Sequence, residues 1–489
     1  MTYKIFLAVF YLIWSANLFA KNSIHNEVSE LVFLDHLLKN NPDVIDFIDE
    51  DELKRSNRFG ITYYNEPIKF LINYNIPDEV KDDIIKKGKK FQADVKPLDD
   101  DYTILKFFYP EKNYSANFYF KDGKCIAPVT YFSRNYHRDS SKYFDFYIKE
   151  PIYFNEYCKE QLDKFIELKW FSSTASERKE LETKKMIYVF CNESDMINII
   201  GQSAKGVFLV ANDIVVSTYN AHYHELMHFV MNYKLKTNIK PCHPFFLEGF
   251  ATGMAGRGGL LMPALMPAAK YSITSGLVNI KSLLSMKNFL AEDASITYPV
   301  AGAYSLFLFV KVGFEAYRTH YLQFSGDYDY LNNIDSTNTE LPYLNEFYDY
   351  ISHPALDFVN ITNLMPPNEE PVIDDPDFKL YRNDSDYVFL LTNKVLFKNP
   401  KYIFNYRSDL FEEKFPGIEY LNYNILIEAN SDEINFYYLH TNYLVLTYKK
   451  AFSIDAKSVP KYNNYYIFSI SRAFFSETEF HNLKYVTIE

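Results

Sequence analysis

The chain has 489 residues, of which 48% are hydrophobic, and this length predicts two or three domains with sizeable cores. Its formal net charge of −12 at pH 7 argues against nucleic acid and anionic membrane surfaces as partners, because both repel negative charge. The 43 Tyr and 43 Phe, set against 15 Gly, indicate aromatic cores and half-buried strands or, alternatively, an exposed aromatic binding platform.

Residues 1–20 have the features of a cleavable secretory signal peptide. One positive charge, Lys4, precedes an apolar run from Ile5 to Trp14, and a small residue, Ala20, ends the segment. The run is too short for a confident membrane span. We therefore expect export to the periplasm, cell surface or exterior, without stable membrane insertion of the mature chain. An uncleaved anchor helix is the alternative.

Residues 21–150 are predicted to form a small α+β domain. Leucines at helical spacing between Leu31 and Leu38 are followed by strand-like runs such as 102–109. The dipeptide Asp122-Gly123 is typical of a tight hairpin turn. The segment contains no recognisable chemistry, so a packing, propeptide-like or substrate-positioning role remains open.

Four cysteines follow the signal segment: Cys125, Cys158, Cys191 and Cys242. An exported chain permits disulfides, and four cysteines allow three pairings among which sequence cannot choose. Buried free thiols are an equal alternative. The spacing is too scattered for a metal cluster.

Residues 151–362 are predicted to form the central domain. A helical stripe is followed by an apolar strand at 186–190 and by two short apolar runs, 207–210 and 214–217. These two runs are joined through Asn212-Asp213. They predict either a sheet edge that accepts an extended peptide as an added strand or an ordinary buried hairpin.

A helix-like stretch with the pattern H-E-x-x-H comes next. On a helix, His224 and His228 lie on the same face, so both imidazoles can reach one metal ion. Zn2+ suits imidazole ligands, and a catalytic zinc site needs three protein ligands with a fourth position open for water. We predict Glu248 as the third ligand, because its charge lies in an aromatic segment where an unpaired carboxylate is costly.

The alternative for this motif is an amphipathic core helix whose histidines are hydrogen-bonded, with Glu248 acting as a cap or an ion-pair partner. Two neighbouring histidines are not expected to be ligands. His222 lies about 200° around the helix from His224, which predicts a position at the surface or behind the metal ligands. His243 lies in the loop just before the second helix.

H-E-x-x-H, followed by nineteen residues and a glutamate in an L-E-G-F-A context, resembles the gluzincin zinc metallopeptidases, peptidase MA-like families included. The resemblance covers about residues 205–317. It implies that His224, His228 and Glu248 bind Zn2+ and that Glu225 is the general base. Thr252 stands where the thermolysin-like branch has an aspartate, and the G-x-M-E-N segment of the aminopeptidase branch is absent. The resemblance therefore favours an endopeptidase.

A glycine-rich run at 252–259 is predicted to form the rim of the site. Further on, the segment from Tyr298 to Tyr304 opens an apolar helix that we expect to end near Gly313. This opening resembles the helix that follows the zinc ligands in peptidase MA-like enzymes. Tyr298 and Tyr304 are candidate hydrogen-bond donors to the oxyanion, a contribution of about 3 kcal/mol when correctly aimed. A structural role is the alternative for each.

A proline-rich acidic passage at 363–376 is predicted to be a linker, because proline and like charges resist compact structure. Strand-like runs without a helical stripe predict a β-rich accessory domain at 377–489. The expected fold is therefore α+β and multidomain. Its central, zincin-type domain should begin with a sheet that has an edge strand and should continue mostly as helices.

These patterns predict a secreted zinc metallopeptidase that cleaves protein or peptide substrates, with a zinc-activated water and Glu225 as base. A second hypothesis is a non-catalytic secreted binding protein that retains a peptidase-like domain. A missing catalytic residue would mark that case, and none is missing. A third is a structural zinc site, but such sites prefer four closed ligands with cysteine, and the chain has no C-x-x-C pair.

Overall fold

The structure is a computed structural model of the chain. It describes residues 28–99, 101–170, 174–237, 239–258, 262–334, 338–352, 359–360, 370–371, 373–374, 376, 378–382, 386–392, 402–406, 424–429, 433–442, 445–471 and 483–487. The predicted signal peptide, 1–20, lies outside the described residues, as does most of the predicted linker, 363–376.

The chain divides into two compact units, and the first consists of Met1–Ser56 and Phe70–Tyr131. Its helices are α1 (Ser29–Leu38), α2 (Glu50–Ser56), α3 (Asp78–Ile85) and α4 (Pro128–Phe132). Its strands are β1 (Gln92–Asp99), β2 (Tyr102–Tyr109), β3 (Tyr114–Lys121) and β4 (Lys124–Ile126).

These four strands form an antiparallel meander in the order β1-β2-β3-β4. Asp122 and Gly123 form the turn between β3 and β4 with φ values of 50° and 74°, the backbone that a two-residue hairpin requires. The predicted hairpin is thus confirmed. Phe33 of α1 packs edge-on against Phe118 and Phe120 of β3, which gives this unit its own aromatic core.

The second unit consists of Asn57–Lys69 and Phe132–Glu489. Its first strands are β5 (His137–Ser140), β6 (Phe144–Ile148), β7 (Met186–Phe190), β8 (Gly206–Leu209) and β9 (Ile214–Ser217). Its helices are α5 (Glu156–Lys169), α6 (Ala175–Lys184), α7 (Glu193–Ile200), α8 (Tyr223–Leu235), α9 (Pro244–Ala255), α10 (Met262–Thr274), α11 (Met286–Ala291), α12 (Ala294–Gln323), α13 (Tyr328–Asn332) and α14 (Leu344–Ser352).

The five strands form one mixed sheet in the order β5-β6-β7-β9-β8. Strands β6, β7 and β9 are parallel, and β5 and β8 pair antiparallel at the two edges. Every residue of β7 and β9 is buried, as expected for central strands covered on both faces. The predicted apolar runs at 186–190, 207–210 and 214–217 therefore correspond to β7, β8 and β9, with β8 at the edge.

The C-terminal strands are β10 (Val359–Asn360), β11 (Ile373–Asp374), β12 (Phe378–Arg382), β13 (Asp386–Thr392), β14 (Tyr402–Tyr406), β15 (Asn424–Ala429), β16 (Glu433–Asn442), β17 (Val445–Asp455), β18 (Lys461–Tyr462), β19 (Tyr465–Ser471) and β20 (Leu483–Thr487). They form two antiparallel sheets, one ordered β10-β19-β13-β12-β11 with β18 beside β19, the other β17-β16-β15-β14-β20. Together with the helices of the second unit, these sheets confirm the predicted α+β class.

Helices α9 and α12 pack unusually closely because glycines meet at their contact. A Cβ on Gly249 would lie 2.8 Å from the Ala301 carbonyl oxygen, and a Cβ on Gly253 would lie 2.8 Å from that of Gly302. Any larger residue at these positions would push the two helices apart. The glycine after Glu248 thus sets the depth at which this carboxylate enters the protein.

Helix α12 begins before the predicted start and continues beyond the predicted end. Its backbone breaks at Gly313, with φ 77° and ψ 171°, and a second helical stretch then continues to Gln323.

Among the described residues, α12 is the one helix that is long and apolar enough to cross a membrane. Half of its apolar window is buried inside the protein.

A buried ion pair anchors the hairpin formed by β8 and β9. The Lys69 ammonium lies 2.6 Å from a carboxylate oxygen of Asp213, and both side chains are almost fully buried. Asp213 has φ 54° in the turn between the strands. Burial lowers the pKa of Lys69 and raises that of Asp213 to about 6, since it disfavours both charged forms.

We expect Lys69→Met to lower the free energy of unfolding by about 3–5 kcal/mol, because the change leaves the Asp213 carboxylate buried without its cation. The double change Lys69→Met/Asp213→Asn should recover most of this loss, since asparagine tolerates the positive φ. Urea unfolding measures both variants. Lys164→Met, which removes an exposed lysine of α5, is the control. Equal stability of Lys69→Met and this control would show that the buried ion pair does not stabilise the hairpin.

Candidate metal centre

Helix α8 carries the first two predicted ligands one turn apart. His224 and His228 face the same side, and their ring centroids lie 5.0 Å apart with an interplanar angle of 79°. The side chain of His224 is 8% exposed and that of His228 is 12% exposed. The helical spacing thus brings two nearly buried imidazoles together.

Helix α9 brings the third predicted ligand to the same point. Pro244 occupies its first turn, and the imidazole Nδ1 of His243, at the N-cap, accepts a hydrogen bond from the Phe245 amide at 3.1 Å. The Glu248 Oε2 atom then lies 3.0 Å from Nε2 of His224 and 3.7 Å from Nε2 of His228.

The donor set and its spacing fit a tetrahedral zinc ion. His224, His228 and Glu248 each offer one ligand atom, and these three atoms lie within 4.8 Å of one another. A tetrahedral ion with bonds of about 2.0–2.1 Å spaces its ligand atoms about 3.3 Å apart. Within the described ranges, this is the one group of three or more His, Cys, Asp or Glu residues arranged in this way.

A backbone carbonyl orients the first ligand. The imidazole Nδ1 of His224 lies 2.9 Å from the carbonyl oxygen of Gly256, which terminates α9 with φ 77°. Because a carbonyl oxygen only accepts, this contact places a proton on Nδ1 and fixes the ring so that Nε2 faces Glu248 and the candidate metal position. The sequence did not reveal this partner. The one indication in the sequence was the glycine-rich run at 252–259, which was predicted to form the rim of the site.

The electrostatics of the three groups favour a cation. Burial raises the pKa of the Glu248 carboxyl, but the charge of His228 and hydrogen bonds from both imidazoles more than offset this effect and hold that pKa well below its usual range. Burial lowers the pKa of His228, but the charge of Glu248 more than offsets this and raises it overall. An ionised, partly buried carboxylate beside two imidazoles attracts a metal cation for the same electrostatic reason.

Glu225, the predicted general base, lies beside the three ligands. Its negative charge is among the contributions that raise the pKa of His228. Its Oε1 atom lies 3.9 Å from Nε2 of His222, and its side chain is 12% exposed. The structure therefore places this carboxylate between His222 and His228, close enough to act on the charge of a predicted ligand.

The two candidate tyrosines occupy different places. The ring of Tyr298 lies 6.3 Å from that of His224, and the Arg257 guanidinium stacks over it at 4.1 Å. Tyr304 is fully buried, and its hydroxyl donates to the Pro342 carbonyl oxygen at 2.7 Å. The structure brings Tyr298 to the metal ligands, whereas Tyr304 is packed in the core with its hydroxyl engaged elsewhere.

His222 and His243, which were not predicted to be ligands, lie at the N-caps of α8 and α9. Both are buried, so of the two places predicted for His222 the structure selects the one behind the ligands. Burial lowers the pKa of each imidazole to about 4.

The four cysteines are buried free thiols, so of the two alternatives left open by the sequence the structure has the one without disulfides.

Comparison of the chain with protein-family models, with curated proteins and with solved structures found no match.

We expect Glu248→Ala and His224→Ala to weaken zinc binding by more than about 100-fold, since losing even an outer partner of a ligand costs about 10- to 100-fold. Metal content after dialysis and competition with a chromophoric chelator measure this. The exposed histidine of β5 supplies the control His137→Ala, which should bind zinc as the wild type does. Unchanged zinc affinity in Glu248→Ala would exclude the site.

Proposed function

We propose that the protein is a secreted, zinc-dependent metallopeptidase, an endopeptidase that hydrolyses peptide bonds in protein or peptide substrates. The observation that carries this proposal is the convergence of His224, His228 and Glu248 from two helices, with the negative charge of Glu225 acting on His228. The resemblance of these residues to the gluzincin pattern agrees with it. Export rests on the signal-like segment at 1–20.

His224, His228 and Glu248 would hold the ion, which when bound would supply a Lewis acid and a water of lowered pKa. Glu225 is the residue that accepts the proton of the attacking water and passes it to the leaving amine. Residues 224 and 225 are adjacent on α8, so one side chain can bind the metal while its neighbour acts as the base. The Tyr298 hydroxyl is the candidate donor to the developing oxyanion.

Helix packing keeps these groups aligned. Gly249 fixes α9 against α12, and the Gly256 carbonyl fixes the ring of His224. Tyr298 belongs to the same α12, so one helix both supports the third ligand and supplies the candidate oxyanion donor. A site built on rigid helices holds its geometry better than one built on loops.

The direct test is cleavage-site profiling of a proteome with the purified mature protein, with and without a zinc chelator. We expect new peptide termini that depend on zinc. A protein that holds zinc but cleaves nothing would overturn the peptidase proposal and favour the non-catalytic binding protein.

Glu225→Gln should retain zinc and lose about 10²- to 10⁴-fold in kcat, because the amide cannot accept the proton of the water. Zinc content and turnover of a peptide found by profiling are measured together. Glu160→Gln neutralises an exposed glutamate of α5 and is the matched control, expected to keep full activity. Wild-type turnover in Glu225→Gln would exclude its role as the base.

Tyr298→Phe should lower kcat by about 10²-fold if its hydroxyl stabilises the oxyanion, with zinc affinity unchanged. Tyr304→Phe is the paired control. It removes the hydrogen bond to Pro342 and should cost about 1 kcal/mol of stability while leaving kcat near that of the wild type. An unchanged kcat in Tyr298→Phe together with a lowered kcat in Tyr304→Phe would overturn the proposed role of Tyr298 as the oxyanion donor.

A further inference from the structure

His222 has more contacts than an ordinary helix cap. Its backbone amide donates to the Tyr188 hydroxyl at 3.0 Å, and its Nδ1 lies 3.0 Å from the Ser217 hydroxyl oxygen. Its Nε2 faces the Oε1 atom of Glu225 at 3.9 Å. One buried imidazole therefore links the end of strand β9 to the predicted base on α8.

The sheet leaves a dedicated space for this ring. A Cβ on Gly206, the first residue of β8, would lie 2.0 Å from Nδ1 of His222 and 3.1 Å from Cγ of Glu225. No side chain fits there, so glycine is required by the close approach of both residues. The edge strand, the base and the histidine are consequently packed as one unit.

The charge of Glu225 bears on the tautomer of this ring. A carboxylate oxygen only accepts, so the attractive arrangement has the ring proton on Nε2, which leaves Nδ1 as an acceptor. The Ser217 hydroxyl lies 3.0 Å from Nδ1 and 3.3 Å from the Lys205 carbonyl oxygen, so it has two acceptors within reach. In the Nε2–H tautomer it donates to Nδ1, while the Tyr219 amide donates to the hydroxyl oxygen at 2.8 Å.

We propose that His222 is a positioning residue that orients Glu225 through an Nε2–H contact to Oε1, leaving Oε2 to accept the proton of the water. This inference rests on the proposed peptidase function. The 3.9 Å separation is longer than a hydrogen bond, and contacts of this kind shorten when substrate completes the site. Because the contact acts on the base, its loss should lower kcat and leave KM and zinc affinity nearly unchanged.

Two variants separate this role from simple packing. In His222→Gln the amide nitrogen replaces Nε2 and can still donate to Glu225. In His222→Asn the shorter side chain keeps a group near Ser217 but does not reach the carboxylate. We expect His222→Asn to lose about 10- to 100-fold in kcat, as removal of an outer partner of a functional group does, and His222→Gln to retain most of it. Gly206→Ala, which displaces the ring, should behave like His222→Asn.

A second measurement does not depend on activity. In nitrogen NMR of histidine-labelled zinc protein, the His222 signal, assigned by its absence from His222→Asn, should report a neutral ring protonated at Nε2. Ser217→Ala should shift that signal, because it removes the hydroxyl that donates to Nδ1.

The outcomes separate the two proposals. A wild type that binds zinc and cleaves peptides, with His222→Asn equally active or with the ring proton on Nδ1, would overturn the role of His222 and leave the peptidase intact. Equal loss in His222→Gln and His222→Asn, with unchanged folding and zinc content, would also overturn it. A wild type that cleaves nothing would overturn both.

Discussion

The candidate site depends on how the charge of Glu248 is compensated. Its side chain is only 20% exposed, and a carboxylate so placed is unfavourable unless cationic or hydrogen-bonding partners compensate it; here the imidazoles of His224 and His228 do so. The three candidate ligand atoms therefore lie within 4.8 Å of one another, a spacing that also suits a zinc ion. A zinc ion bound here would depend on the same contacts that stabilise this charge.

The helices around the cluster are arranged to hold that carboxylate at one depth. Gly249 and Gly253 allow α9 to approach α12 at backbone distance, and a side chain at either position would move Glu248 away from the imidazoles. Helix α9 ends at Gly256, and the carbonyl of this residue turns the ring of His224 toward the ligand position. One short glycine-containing helix therefore supplies one candidate ligand and orients another.

The sheet side of the site has its own support. Asp213, in the turn between β8 and β9, is fixed by Lys69, so the edge strand is anchored at the end away from the helix. At its other end, Gly206 packs against His222 and Glu225. The predicted base, which shares α8 with His224 and His228, thus also packs against the sheet.

The residue pattern alone was enough to predict the α+β class, the strands β7 to β9, and the convergence of the His224 and His228 imidazoles. These features follow from short-range regularities, since the helical period and the apolar runs need no knowledge of distant residues. Long-range packing settled the rest. Tyr298 and Tyr304 look alike along the chain, yet one lies at the site and the other in the core. His222 turns inward because Gly206, on the edge strand β8, leaves room for its ring, and no local pattern carries that information.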